Sequence, residues 1–143
     1  MAFLAGERVT AARLNRLQPK TYRAAATGLL NGPQTAADVP GATVTFTTEA
    51  ANAVYVVDAW FDYDLSGSTT LLGSGNIHVD GVIQAEYAVF QANVVNDRSS
   101  VGHTYRGTLA TAGSHTIKLV GSPVANQTIN TYSSVTITIY EVV

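Results

Sequence analysis

The twelve residues Ala53–Asp64 alternate without a break, and this period of two constrains the chain more than any other feature. The odd positions, Ala53, Tyr55, Val57, Ala59, Phe61 and Tyr63, form one apolar face, as a strand covering a core requires. The even positions, Val54, Val56, Asp58, Trp60, Asp62 and Asp64, form a mixed face. Val56 and Trp60 are too apolar for open solvent, and Trp is enriched where protein meets protein. The strand is therefore expected to be covered on both faces, by its own core on one side and by another subunit on the other.

Shorter strand signals separated by turns follow the same rule. Val44 and Phe46 share a face in Thr43–Thr48. Val101, His103, Tyr105 and Leu109 share one in Ser100–Leu109, opposite Thr104, Arg106 and Thr108. Ile117 and Leu119 point inward from His115–Val120, and Val135, Ile137 and Ile139 alternate through Ser133–Val143. A hairpin is expected around Asp80-Gly81, with a three-residue loop Val79-Asp80-Gly81 that sets Ile77 opposite Ile83 and keeps the apolar faces aligned. Gly73-Ser74-Gly75 reads as a flexible hairpin tip. Seven or eight short antiparallel strands in about 100 residues predict an all-β protein, an antiparallel sandwich or jelly roll.

The N-terminal segment is different in kind. Five of the eight basic side chains, Arg8, Arg13, Arg16, Lys20 and Arg23, fall in the first 23 residues, against one acid, Glu7. That puts a net charge of +4 on the segment and −6 on the remainder. Thr10 is a good N-cap, Val9 and Leu14 occupy the hydrophobic-staple positions, and Pro19 ends the run. Such a helix has about two turns, too few to be stable alone in water, so it must dock on something. Its stripe is Leu14 and Leu17, flanked by Arg13 and Arg16. Val9, Arg13, Leu14, Arg16 and Leu17 are thus the expected docking residues. Ala24–Gly41, punctuated by glycine and proline, reads as a linker. The expected division is a docking helix and extended arm over 1–41 and a β head over 42–143.

Composition narrows the function classes. Charged residues make up 13% of the chain, against roughly 25% in an average soluble domain. Protein–protein interface cores are depleted in charge, so much of this surface is expected to be covered. The absence of cysteine excludes disulfides and thiolate metal sites. No apolar run reaches the ~18 residues of a membrane span, and Met1–Arg8 lacks the charged and apolar regions of a signal peptide. The basic segment has no interleaved aromatic platform, so nucleic acid is not an expected partner.

The chemistry-bearing residues form no recognisable constellation. Asp58, Asp62 and Asp64 share a strand face of a kind that can hold Ca²⁺, but the ligand count is short and the spacing matches no standard loop. His78 and Asp80 sit at i, i+2 with no second histidine nearby. His103 lies on an apolar face, where a core or interface role is expected; with Val56 and Trp60 it completes the expected subunit interface. His115 reads as a polar residue capping a turn. No nucleophile elbow or phosphate loop is present, so no enzyme activity, metal or cofactor is expected.

The opening Gly6-Glu7-Arg8-Val9-Thr10-Ala11-Ala12-Arg13-Leu14-Asn15-Arg16-Leu17 resembles the N-terminal signature of small virion proteins of tailed phages, especially those of actinobacterial hosts. Pro40–Phe46, His78-Val79-Asp80-Gly81 and Ala112–Leu119 are similar to that group as well. The body resembles the jelly roll of the tumour-necrosis-factor and complement globular-head type, which forms trimers. The resemblance implies a virion surface protein made in the host cytoplasm: a homotrimer docked on a phage capsid or tail protein, as a minor tail protein, fibre or capsid decoration. A receptor- or glycan-binding module at a fibre tip, with a host-surface glycan as partner, is the alternative it implies.

Overall fold

The computed structural model describes residues 10–141. Its elements run in the order α1 (Ala11–Leu17), β1 (Lys20–Ala25), β2 (Leu30–Asn31), β3 (Ala37–Thr48), β4 (Ala53–Leu65), β5 (Gly73–Val79), β6 (Val82–Ile83), β7 (Ala88–Phe90), β8 (Arg98–Leu109), β9 (Gly113–Ser122), β10 (Gln127–Ile129) and β11 (Ser134–Tyr140). Every strand pairing is antiparallel. One sheet follows the order β1-β11-β4-β10-β2, with β8 on the other side of β4; the second follows β3-β9-β5-β6, with β7 also on β5.

β4 is the axle of the first sheet. It pairs with β8 along Ala53–Asp64 on one side and with β11 and then β10 on the other. Its odd positions are all buried, as the alternation requires, and Leu65 extends the series. They meet Ile77, Ile117 and Leu119 from the second sheet and Val135, Ile137 and Ile139 from β11. Each of these β-branched or aliphatic side chains contributes roughly 1.5–3 kcal/mol by leaving water, so the two inner faces hold the sandwich together.

Three sequence expectations are corrected. The linker expected over Ala24–Gly41 is part of the sandwich. β1 pairs with β11 from Lys20↔Ile139 to Ala25↔Ser134, β2 pairs with β10, and β3 already runs from Ala37. Glycine and proline here mark an irregularity in β3 between Asp38 and Thr43, around Pro40 and Gly41, and not a free arm. The arm is thus shorter than residues 1–41, and the β body begins at Lys20.

The β5–β6 hairpin has a two-residue loop in place of the three-residue one. His78 pairs with Ile83 and Val79 with Val82. Asp80 (φ 50°) and Gly81 (φ 83°) are both left-handed, the geometry of a tight Asp-Gly hairpin turn. Aligning Ile77 with Ile83 has no value here, because Val82 and Ile83 are exposed and only Ile77 belongs to the core.

Gly73-Ser74-Gly75 is strand, paired with both β7 and β9. The glycines are there for room: a Cβ on Gly75 would stand 2.5 Å from the Phe61 ring, and one on Gly73 would stand 2.0 Å from Gln127 Oε1. Gly75→Ala is expected to lower stability by about 1–3 kcal/mol through overpacking, read as a shift of the denaturant midpoint. An unchanged midpoint would mean that Phe61 has free space.

Truncation tests the revised boundary. Removing residues 1–18 should leave the unfolding midpoint near that of the whole chain. Removing residues 1–25 strips β1 from β11 and takes away Tyr22, whose ring stacks on Phe46 at 5.3 Å. That deletion should cost at least ~2 kcal/mol, measured by chemical denaturation.

Candidate docking surfaces

The sandwich has two unlike ends. At one end lie α1, the β3–β4 turn, the β5–β6 turn, the β8–β9 turn and the end of β11. Thr10 caps α1: its side chain accepts from the Arg13 amide, as its residue type predicts. Gln18 leaves the helix in an extended conformation before Pro19. The helix buries none of its residues; Leu14 is 52% exposed and Leu17 half-buried. Arg13 is half-buried as well. Arg16 faces Glu49 of the β3–β4 turn, Nε to Oε2 3.4 Å. Val9 and the preceding part of the motif lie outside the described residues.

A charged latch ties this end together. The Lys20 ammonium donates to Glu141 Oε1 at 2.8 Å, while Glu141 Oε2 accepts from the backbone amides of Glu49 (2.9 Å) and Ala50 (3.2 Å). The Glu141 side chain is almost fully buried. Burial alone would raise its carboxyl, but the Lys20 hydrogen bond and the two amides outweigh it, so Glu141 titrates below the ordinary carboxylate range. The hydrogen bond to Glu141 raises Lys20 in turn. Nothing in residue spacing signals this latch, because Lys20 and Glu141 are 121 positions apart.

A second polar cluster closes the neighbouring hairpin. His115 is 3% exposed. Its Nδ1 lies 2.7 Å from Asp80 Oδ2 and its Nε2 3.0 Å from the Thr111 carbonyl. Asp80 Oδ1 accepts from the Thr116 amide at 2.8 Å. Burial works to raise the Asp80 carboxyl, but the His115 and Thr116 hydrogen bonds prevail and hold it below its usual value. Both ring nitrogens lie within hydrogen-bond distance of protein oxygens. His115 thus joins two turns and is no simple turn cap, and Asp80 meets His115 instead of His78.

The second surface is the outer face of the first sheet. Val56 and Trp60 both lie on it, on either side of Asp58, as the alternation predicts, with Val56 half-buried and Trp60 53% exposed. Trp60 stands opposite Gly102 and Ser134. Its ring lies over Gly102, where a Cβ would come within 3.3 Å of it. Asp58, Trp60, Gly102, Thr104 and Thr136 surround a shallow open depression. His103 departs from this pair: it stands opposite buried Ala59 and so points to the other face of the sheet. It is half-buried there, edge-on to Tyr105 at 4.5 Å.

The acidic side chains of β4 do not converge. Asp58 accepts from Thr104 Oγ1 at 2.7 Å and Asp64 from the Leu65 amide at 2.9 Å. Asp62 is buried under Arg98, whose Nε donates at 3.0 Å and whose second nitrogen makes a shorter bond. Each carboxylate is thus engaged separately, and among the described residues no three His, Cys, Asp or Glu side chains are grouped to hold a metal ion. Arg98 also lies over the ring of Tyr132, 5.0 Å from its centroid.

The opposite side of the molecule leaves a further apolar strip. Val82, Ile83, Tyr87 and Val89 are exposed along β6, β7 and the segment between them. The strip flanks β8, which among the described residues pairs with β4 alone.

No protein-family model matches this chain, and no curated protein sequence matches it. Solved structures match in fold. Eiger TNF from S. frugiperda superposes with a TM-score of 0.54 at 11% identity, covering 85% of this chain and 92% of its own. Murine APRIL gives 0.51 at 9% identity, covering 87% of this chain and all of its own. The tripod of the bacteriophage Tuc2009 baseplate covers 99% of this chain and 73% of its own at 11% identity, with a TM-score of 0.49. The first two likenesses show a jelly-roll fold and extend to the fold alone. Among the described residues no helix is long and apolar enough to cross a membrane.

The latch makes a pH dependence measurable. Because the folded-state pKa of Glu141 lies below its unfolded value near 4.5, its contribution is complete above that value. It is lost as pH falls through the folded value. Glu141→Gln should lower stability at neutral pH by about 1–3 kcal/mol, the scale of a hydrogen bond to a charged group. It should also flatten the decline of the thermal midpoint on the acid side. A variant with the wild-type acid profile would remove the latch from the account.

Proposed function

We propose that this protein is a non-enzymatic structural component of a phage virion, docked on the particle through its N-terminal segment and presenting a trimeric β head. A minor tail protein or fibre and a capsid decoration both fit this description. The observation that carries the reading is α1 itself. It is capped and tethered by Arg16 to Glu49, yet it buries no residue and leaves Leu14 half in solvent. A seven-residue helix has no independent stability in water, and this one keeps its apolar side chain for something outside the chain. The opening motif resembles those of small tailed-phage virion proteins, and the jelly roll fits the same role.

Trimerisation accounts for the other uncovered apolar groups. Trp60 and Val56 sit on a sheet face, whereas Val82, Ile83, Tyr87 and Val89 sit beside the open edge. These are two different patches. A face that packs on a neighbour's edge makes a head-to-tail contact, and such contacts close into a ring when the rotation allows. The low charge of the chain suits a body with much covered surface. His103, which points away from Trp60, belongs to the edge side of this contact.

Trp60→Glu places an unpaired charge in the contact and should convert a particle of about three times 15.0 kDa to one copy, measured by native mass. A wild-type mass of a single chain in dilute solution would overturn the trimer. Leu14→Asp with Leu17→Asp should abolish attachment, since each buried leucine contributes roughly 1.5–3 kcal/mol per copy. Co-sedimentation with particles at wild-type occupancy would exclude α1 as the anchor.

A further inference from the structure

At the end of the sandwich opposite α1, β4 passes to β5 and β7 to β8. The two connecting loops, 66–72 and 91–97, stand side by side. Ser68 Oγ donates to the Asn93 carbonyl at 3.2 Å, and Gln91 Nε2 to the Thr70 carbonyl at 2.8 Å. Each loop carries a pair of neighbouring aliphatic side chains, Leu71-Leu72 and Val94-Val95, all 47–59% exposed. Asp97 is the one charged residue in the two loops. Behind the loops, at the strands, Arg98 covers the buried Asp62 and lies over the ring of Tyr132, which is 77% exposed. Exposed apolar groups gathered at one place mark a contact surface.

Two observations choose the partner. The first is the order of the side chains. Hot spots of protein interfaces hold Trp, Tyr and Arg at the centre and are poor in Leu and Val. Here Leu and Val stand on the loops beyond the strand ends, and the Tyr132–Arg98 pair stands behind them. That is the order in which a protein meets a bilayer surface. Aliphatic groups enter the acyl boundary, and aromatic and basic groups stay at headgroup level, with the guanidinium near phosphate.

The second observation is the backbone. Polar backbone groups at lipid depth need partners inside the protein. Those around the four aliphatic side chains have them. The Thr70 and Asn93 carbonyls accept from Gln91 and Ser68. The Leu71 amide donates to Thr69 Oγ1 at 3.2 Å, the Asp97 amide to the Val94 carbonyl at 3.1 Å and the Asn96 amide to the Leu65 carbonyl at 2.7 Å. Asn126 Nδ2 donates to the Ser68 carbonyl at 3.3 Å. Loops that hold their own hydrogen bonds give up little on leaving water. We propose that this end inserts Leu71, Leu72, Val94 and Val95 into the surface of a phospholipid bilayer. The protein lies on the bilayer without crossing it, its apolar tips roughly 5–10 Å deep.

Flotation of the full-length protein with phosphatidylcholine vesicles tests this. Their surface has no net charge and gives the basic N-terminal segment nothing to attract it. The protein should float with them in low and high salt alike. Leu71→Asp with Val94→Asp should weaken binding at least tenfold by carrying charge into the acyl boundary. Its denaturant midpoint should be kept, because both side chains are exposed. The chain has no cysteine, so a single introduced cysteine can carry a polarity-sensitive fluorophore. At Leu72→Cys or Val95→Cys the emission should move to the blue when vesicles are added. At Ala110→Cys, in the β8–β9 turn of the α1 end, it should stay. Absence of flotation would overturn the proposal, as would binding that needs phosphatidylglycerol and is lost in salt. Binding indifferent to the double aspartate variant, or a blue shift at Ala110→Cys, would do the same. The vesicles hold no particle protein, so these outcomes are separate from the anchoring proposed above, which co-sedimentation with particles reads.

Discussion

The fold depends on one packing constraint: β4 must be flanked on both edges and covered on its odd face along its whole length. From Ala53 to Leu65 that face is closed to water, and the strand is paired with β8 on one side and with β11 and β10 on the other. Hydrogen bonding satisfies its backbone, and the second sheet supplies the apolar lid. The sheets approach closely at Phe61, whose ring occupies the space a side chain on Gly75 would need. Tyr63 stacks on Phe90 at 4.9 Å in the same layer. Moving β4 by one residue would turn all of these side chains to the outer face.

Polar contacts act where the sheets end. Glu141 gathers Lys20 and two backbone amides, and His115 gathers Asp80 and the Thr111 carbonyl. Each joins elements far apart in sequence at the α1 end. Asp62 and Arg98 do the corresponding work near the other end of β4. These carboxylates are each buried or hydrogen-bonded, and for that reason they serve structure.

The molecule is polar in a directional sense. Lys20, Glu49, Asp80, His115 and Glu141 gather with the partly uncovered helix at one end, and loops poor in charge lie at the other, beside the Asp62–Arg98 pair. The sheet face with Trp60 and the edge beside β8 lie between. The proposed docking by one end and association along the side draw on that distribution.

Much of this was legible in the sequence, for reasons that are local. Alternation depends on neighbouring residues, so the inward faces of β4, β9 and β11 and the outward position of Val56 and Trp60 could be read directly. The cap at Thr10 and the stop at Pro19 are equally local. Where glycine was met, local reading failed: Gly73 and Gly75 lie in a strand because Gln127 and Phe61, distant in sequence, fill the space beside them. The same is true of β1, whose strand character comes from β11 at the other end of the chain. Pairing also decided that Asp80 meets His115 instead of His78, that His103 turns away from Trp60, and that Glu141 is a buried latch. A contact between residues a hundred positions apart leaves no periodic trace, so only the closed sandwich, by pairing β1 with β11, could determine it.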